Sequence, residues 1–395
     1  MVSVEEALEI VLSVPGKYGI EKVALDKILH RFLAEDIFAD RDSPPYDRVM
    51  MDGIALNSNA LISNATEGFF IEGIQAAGDA QKILANQINC LEVMTGAIVP
   101  AGSDLIVPYE QLDIIDNRAF LKQPFVSRNY IHLKGSDHKK DTIALQKGKR
   151  LTAADAGLLA AVGISGVPVY KLPKTAIVAT GIELVPVNEM PEAHQVRMSN
   201  VYSLQSSLQL DCITPDIFHI NDDETVLFNE LLAIVKEYDV VLLSGGVSKG
   251  KYDFVPAVLE KIGVQKLFHQ VAQRPGKPFW FGHQPQLHTH VFAFPGNPVS
   301  TFVCHHFYFR HWLSNSVGNR LKLPLVQLSD VITGSPALSL FVPVKFNQTD
   351  CCVSEVLNNG SGDLFSLTAI DGFIYLPKGE ILYDKKSIIS LLKIN

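Results

Sequence analysis

Apolar residues recur at helical spacing from the start of the chain. Val4, Ala7, Leu8, Val11 and Leu12 fall on one face behind Ser3 and Glu6, which have capping-box spacing. Leu25, Ile28, Leu29 and Phe32 form a second stripe, so residues 1 to about 36 are predicted to be two helices. From residue 43 the period shortens. Apolar runs at residues 69–71, 91–94, 105–109 and 111–115 alternate with glycine and polar turns, the pattern of a small β-rich insertion. Helical spacing returns after Thr152, with Asp155 in the first turn, Leu158, Leu159 and Val162 on one face, and Gly163 as a stop.

Beyond Lys174 strands and helices alternate. The strand TAIVA precedes a helix after Ser199, and CITPDIFHI precedes a helix over residues 224–238. DVVLLSGG then leads to a helix over 255–262, and HVFAFPGNP to a helix ending near Trp312. Repeated β-α units with wholly apolar strands predict a mostly parallel sheet covered on both faces. After Leu321 short β runs with glycine-rich turns return. The chain therefore divides into a discontinuous linking domain (1–42 and 138–172), a β-rich insertion (43–137), a three-layer α/β/α domain (173–320) and a C-terminal, barrel-like β domain (321–395).

Composition narrows the function. A chain of 395 residues is long enough for several domains, and with 47% hydrophobic and 19% charged residues it is of ordinary globular type. A net charge of -8 provides no basic field to recruit nucleic acid. The five cysteines form no C-x-x-C pair, the pattern of reduced structural thiols in a cytoplasmic protein. The acidic N-terminus is no signal peptide, and no apolar run is long enough for a membrane span. His305 and His306 lie on an apolar helix and read as packing residues.

The chemistry gathers at the predicted strand ends. DVVLLSGGVSKG breaks from buried strand into bare backbone at Ser244, Gly245 and Gly246. Ligands bind outside the carboxyl ends of parallel strands, where glycine backbone N–H groups and a helix start favour an anion. A tight turn that simply requires positive φ explains the same glycines equally well. Other strand ends add Thr180-Gly181 with Glu183, and Pro295-Gly296-Asn297-Pro298. Arg274-Pro275-Gly276-Lys277-Pro278 presents two cations. Together these turns predict one shared pocket for a phosphorylated or oxyanionic ligand. Asp52, Thr95, Asp104 and Glu110 in the insertion supply hard oxygen donors suited to Mg²⁺, and nothing has zinc-site spacing.

In combination these motifs resemble the molybdopterin molybdenumtransferases, the family of the bacterial molybdate-insertion enzymes and the gephyrin E domain. The resemblance runs from about Val4 to Leu382, through PPYDRVMMDGIAL, MTGAIVP, GSDHKKD, TGIEL, SGGVSKG, RPGKP, PGNPVS and GSGDLFSLTAIDG in order. It implies an enzyme that binds adenylylated molybdopterin and molybdate, cleaves the pyrophosphate link with Mg²⁺, inserts molybdenum and releases AMP. It also implies a homodimer with a shared pocket, with a molybdopterin adenylyltransferase and molybdoenzyme chaperones as further partners.

By matching positions, the resemblance places Asp52 and Thr95 on the active site and makes Asp137 the acid of the G-x-D motif. Glu183, Asp222 and Asp253 become acidic pocket positions, with Asp52, Glu183 and Asp253 as metal ligands. Ser244, Gly245, Gly246 and Ser248 form the pterin-phosphate loop, and Arg274 and Lys277 the cationic turn, Lys277 being catalytic. Pro295, Gly296, Asn297, Pro298 and Ser366 surround the oxyanion. Asp253 is alternatively a cap for the helix starting near Val255. The chain departs from the family pattern at Ile182, where an acid is usual, at Gln270, where a lysine is frequent, and at Val342 and Pro343, where an arginine is usual. These departures support an alternative reading, a molybdopterin-binding carrier or scaffold without turnover.

Overall fold

The computed structural model describes residues 1–63, 67–123, 130–247 and 253–394. The chain forms two compact units: residues 1–35, 147–152 and 166–395 make one, residues 36–146 and 153–165 the other.

The centre of the first unit is a six-stranded sheet. Its strands run in the order Asp216–Ile220, Thr175–Thr180, Val240–Ser244, Thr289–Phe294, Trp280–Gln284, Gln265–His269. The first four are parallel, Trp280–Gln284 runs antiparallel to them, and Gln265–His269 runs antiparallel to Trp280–Gln284 and so with the first four, so the sheet is mostly parallel as predicted. Alternation within each strand builds the two faces. Ala176, Val178, Val241, Leu243, Val291 and Ala293 pack against the helices Glu224–Glu237 and Val255–Lys261. Ile177, Ala179, Leu242, Phe292 and Phe294 pack on the other side against Ser199–Leu210 and the helical run from Pro298. That run passes through a π-helical segment, His305–Phe309, where both histidines are buried.

Helix Val4–Ser13 has the predicted capping box: the Glu6 N–H donates to Ser3 Oγ at 3.1 Å, and the Ser3 N–H to Glu6 Oε2 at 2.7 Å. The predicted second helix does not form. Ile20–Ala24 is a strand, antiparallel to Gly166–Tyr170, followed by one 3-10 turn at Leu25–Lys27. A strand partner more than a hundred residues away outweighs the local periodicity of Leu25, Ile28, Leu29 and Phe32.

The C-terminal strands close into a barrel of five: Ser339–Asn347, Cys352–Glu355, Leu325–Leu328, Ile388–Lys393 and Gly372–Leu376, the last pairing back with the first. Gln273–Arg274 joins this barrel as a short strand parallel to Ser339 and Leu340. That pairing fixes the position of the cationic turn.

The second unit contains its own six-stranded sheet over a core of Ile54, Leu56, Phe69, Ile71, Leu105 and Val107. Its hairpin Leu112–Ile115 to Arg118–Leu121 turns through Asp116 and Asn117 at φ 48° and 61°, the left-handed pair a tight hairpin requires. Helix Ala153–Ala161 also belongs to this unit. Among the described residues no helix is long and apolar enough to cross a membrane.

Candidate functional site

Two clefts open in the first unit, on either side of the turn that follows strand Thr289–Phe294. The first, about 520 Å³, is lined by Thr180, Glu183, Arg197, Asn200, Ser244, Gly245, Gly296 and Asn297, with Gly362 and Leu364 of the C-terminal domain. It lies at the carboxyl ends of the adjacent parallel strands, where open α/β sheets take ligands. Gly245 and Gly246 have φ of 105° and 67°. A Cβ on Gly245 would meet the Thr180 carbonyl at 2.7 Å, and one on Gly246 would meet Val255 Cγ2 at 2.6 Å. Both conformation and space therefore demand glycine here. Ser248 lies outside the described residues.

Asn200 holds this cleft together. Its Nδ2 donates to Ser244 Oγ at 2.8 Å and to the Gly296 carbonyl at 2.7 Å, and lies 3.3 Å from Thr301 Oγ1. Thr301 in turn donates to the Pro295 carbonyl at 2.5 Å. One side chain on the first turn of helix Ser199–Leu210 thus ties the end of one strand to the loop after the next.

The second cleft, about 600 Å³, is lined by Arg274, Gly276, Lys277, Pro295, Asn297, Ser300, Ser361 and Glu355, with Val342 and Pro343 on its barrel wall. Among the described residues neither the Arg274 nor the Lys277 side chain has a hydrogen-bond or ion-pair partner. The single shared pocket expected from sequence is thus two clefts. The short strand pairing of Gln273–Arg274 with the barrel draws the cations to one side of the Pro295–Pro298 turn, and the glycine turn occupies the other. Asn297 lines both and donates through Nδ2 to Ser361 Oγ at 2.8 Å.

Ser366 lines neither cleft. Its Oγ donates to the Asp363 carbonyl at 2.8 Å, and the one-turn 3-10 segment Phe365–Thr368 carries it away. Ser361 stands where Ser366 was expected, and its carbonyl also accepts from the Val299 N–H at 3.0 Å. Ile182 is largely exposed, and Gln270 lines neither cleft. Asn200, Arg197 and Ser361 were missed by the sequence reading. The only signal for Asn200 was a polar amide at a helix start beside a glycine-ended strand.

The acids behave differently in the two units. In the first, burial pushes the Asp222 carboxyl above its ordinary range, and the charges of Glu183 and Asp253 push it further. Asp222 Oδ1 is buried without a partner. Asp223, not Asp222, caps helix Glu224–Glu237, accepting from the Thr225 and Val226 N–H groups at 3.0 and 2.9 Å. Phe254, not Asp253, occupies the N-cap of the helix at Val255, and the Phe254 side chain makes no capping hydrogen bond.

In the second unit Asp52 Oδ1 accepts from the Thr95 N–H at 2.6 Å and from Thr95 Oγ1 at 2.7 Å. These bonds hold the Asp52 carboxyl below its ordinary range. Asp137 accepts from His132 Nε2 at 2.6 Å, and Asp104 from the Ser58 N–H and hydroxyl at 2.6 and 2.8 Å. Among the described residues no three His, Cys, Asp or Glu side chains are grouped so that they could hold a metal ion.

A glycine turn at strand ends, an amide tying two turns together and a cation-lined cleft beside it are the site features of this α/β protein. Residues 2–163 match the MoeA N-terminal region (domain I and II), and residues 176–315 match a probable molybdopterin binding domain. The chain is 37% identical over 385 residues, 96% of either chain, to the molybdopterin molybdenumtransferase of Synechocystis sp.. It is 31% identical to that of Bacillus subtilis, covering 100% of this chain and 94% of the relative. A solved molybdopterin biosynthesis MoeA protein from Pyrococcus horikoshii OT3 superimposes with a TM-score of 0.84 at 26% identity over 99% of both chains. The chain belongs to the molybdopterin molybdenumtransferase family, transferases of molybdenum cofactor biosynthesis.

Proposed function

We propose that the protein inserts molybdate into adenylylated molybdopterin and releases AMP, with the glycine-turn cleft holding the pterin and the cation-lined cleft holding an anionic group, phosphate or molybdate. The observation that carries this reading is the pair of partnerless cations, Arg274 and Lys277, in a cleft that shares Asn297 with a glycine-ended one. Charge-assisted hydrogen bonds to an oxyanion suit such groups. Val342 and Pro343 leave the barrel wall of that cleft without a guanidinium, so the oxyanion rests on Arg274 and Lys277 with Ser300 and Ser361.

In this reading Asp222 is the carboxylate that would hold Mg²⁺: its Oδ1 is buried without a partner, and the charges of Glu183 and Asp253 oppose its ionisation, which a cation would relieve. An incomplete protein cage is normal for Mg²⁺, which takes one or two carboxylates and completes its shell with phosphate oxygens and water. The bound cation would neutralise charge on the pyrophosphate as AMP departs. Asp52, whose carboxyl Thr95 holds below its ordinary range, and Asp137 are further catalytic residues in this reading. A homodimer and a cytoplasmic location complete it.

The test is AMP release from adenylylated molybdopterin, with and without molybdate and Mg²⁺. Molybdate- and Mg²⁺-dependent release is expected. Lys277→Ala should weaken oxyanion binding by about 1.5–3 kcal/mol, the loss of one charge-assisted hydrogen bond. Tight pterin binding with no AMP release under any condition would instead identify a carrier.

A further inference from the structure

Two polar atoms of residues lining the glycine-turn cleft have no partner among the described residues. The Thr180 hydroxyl is one: the residue is only 3% exposed, and its Oγ1 makes no hydrogen bond. The oxygen of Asn200 is the other. Three oxygens surround Nδ2 of that amide, which fixes its orientation and leaves Oδ1 as an acceptor with no partner among the described residues. The glycine turn lies against both. A Cβ on Gly245 or Gly246 would come within 3.0 or 2.9 Å of Thr180 Oγ1, and Ser244 holds the Asn200 amide. Buried polar groups normally find partners, and an orphan hydroxyl on a ligand cleft points to a partner supplied by the ligand.

The chemistry of this pair differs from that of the neighbouring cleft. Neither atom carries charge, one only accepts, and the other both donates and accepts. An oxyanion offers acceptors alone and cannot satisfy an amide oxygen. A pterin ring presents N–H donors beside ring nitrogen and carbonyl acceptors on one edge. We propose that Thr180 and Asn200 form a donor–acceptor pair that reads the hydrogen-bonding edge of the bound pterin, and that Asn200 additionally positions Ser244 and Gly296 around it. This inference rests on the assignment of the glycine-turn cleft to the pterin.

Thr180→Val is the sharpest test, since valine keeps the shape and removes only the hydroxyl. The hydroxyl has no protein partner, so the melting temperature should hold or rise. Affinity for molybdopterin, read from pterin fluorescence, should fall by about five- to tenfold, as for one hydrogen bond. Molybdate affinity should stay within about twofold of wild type. Asn200→Ala should cost more, because it removes both the acceptor and the tie between the turns, and it should raise KM for the pterin substrate more than it lowers kcat. The double variant should lose less than the product of the single effects, because the two residues read one edge. If wild-type protein binds molybdopterin and Thr180→Val binds it equally well, the pair does not read the ligand. A melting temperature that falls in step with affinity also overturns the inference, since the hydroxyl is then structural. If wild-type protein fails to bind molybdopterin at all, the functional reading falls first and takes this inference with it.

Discussion

The two units handle their polar groups in opposite ways. In the insertion unit the acids are satisfied by near neighbours. Asp52 is held by Thr95, Asp104 by Ser58, and Glu72 by the Ala85 and Asn86 N–H groups at 2.7 and 2.9 Å and by Asn89 Nδ2 at 2.8 Å. In the sheet unit Asp222 and Thr180 keep buried oxygens without partners at the strand ends, and the charges of Glu183 and Asp253 push the Asp222 carboxyl further up. The first arrangement spends its hydrogen bonds on shape. The second withholds them, and a folded chain tolerates that cost where a ligand supplies the missing partners.

This contrast predicts substitutions of opposite sign. The largest effect is expected at Glu72. Burial pushes its carboxyl up, but hydrogen bonds from Asn89, Ala85 and Asn86 more than offset this and hold it below the ordinary range. Glu72→Ala removes three hydrogen bonds from a loop where water can replace them at the exposed Ala85 and Asn86, and should cost about 1 kcal/mol in denaturant unfolding. An unchanged unfolding midpoint would remove the insertion unit's half of the contrast.

A smaller effect of the other sign is expected at Asp222. Its folded-state carboxyl titrates above the unfolded one, so the folded state loses stability as pH rises from the unfolded value through the folded value. Asp222→Asn removes that penalty. The variant should melt higher than wild type at pH 7, the gap should close in acid below the ordinary carboxylate range, and Mg²⁺ should stabilise it less than it stabilises wild type. A lower melting temperature at pH 7 would show that Asp222 has a stabilising partner after all.

The smallest effect concerns Thr95→Val, which removes one of the two donors on Asp52. Asp52 titrates low in the folded state, so its bonds add stability above the unfolded value that is lost as pH falls through the folded one. The carboxyl resonance of Asp52 should titrate at higher pH in the variant, back toward the ordinary range. An unmoved titration would mean that the Thr95 backbone N–H alone holds it.

What could be seen in the sequence follows the range of the interactions involved. The glycine turn was legible because positive φ and lack of space are local demands at Gly245 and Gly246. The wholly apolar strands were legible because burial on both faces leaves no polar position. Asn200 was not, because its importance arises only when Val240–Ser244 and Thr289–Phe294 become adjacent, a pairing between segments far apart in the chain. The division into two clefts was hidden for the same reason, since it depends on Gln273–Arg274 joining the barrel. That Ser361 lines the cleft and Ser366 does not was illegible because a glycine-rich motif fixes which residues turn, not which of two nearby serines the turn presents. The lost helix after Gly19 shows the converse: a convincing local period yields to a distant strand partner.

The shared position of Asn297 has a thermodynamic consequence. Asn297 lines both clefts and its side chain is tethered to Ser361, so on the proposed assignment a ligand that moves this residue in one cleft changes what the other offers. Equilibrium linkage makes such coupling symmetric: whatever factor the pterin imposes on oxyanion affinity, the oxyanion imposes on pterin affinity. On the proposed assignment of the two clefts, order of addition then alters the path to the ternary complex but not its stability, and Asn297 is the group both ligands would share.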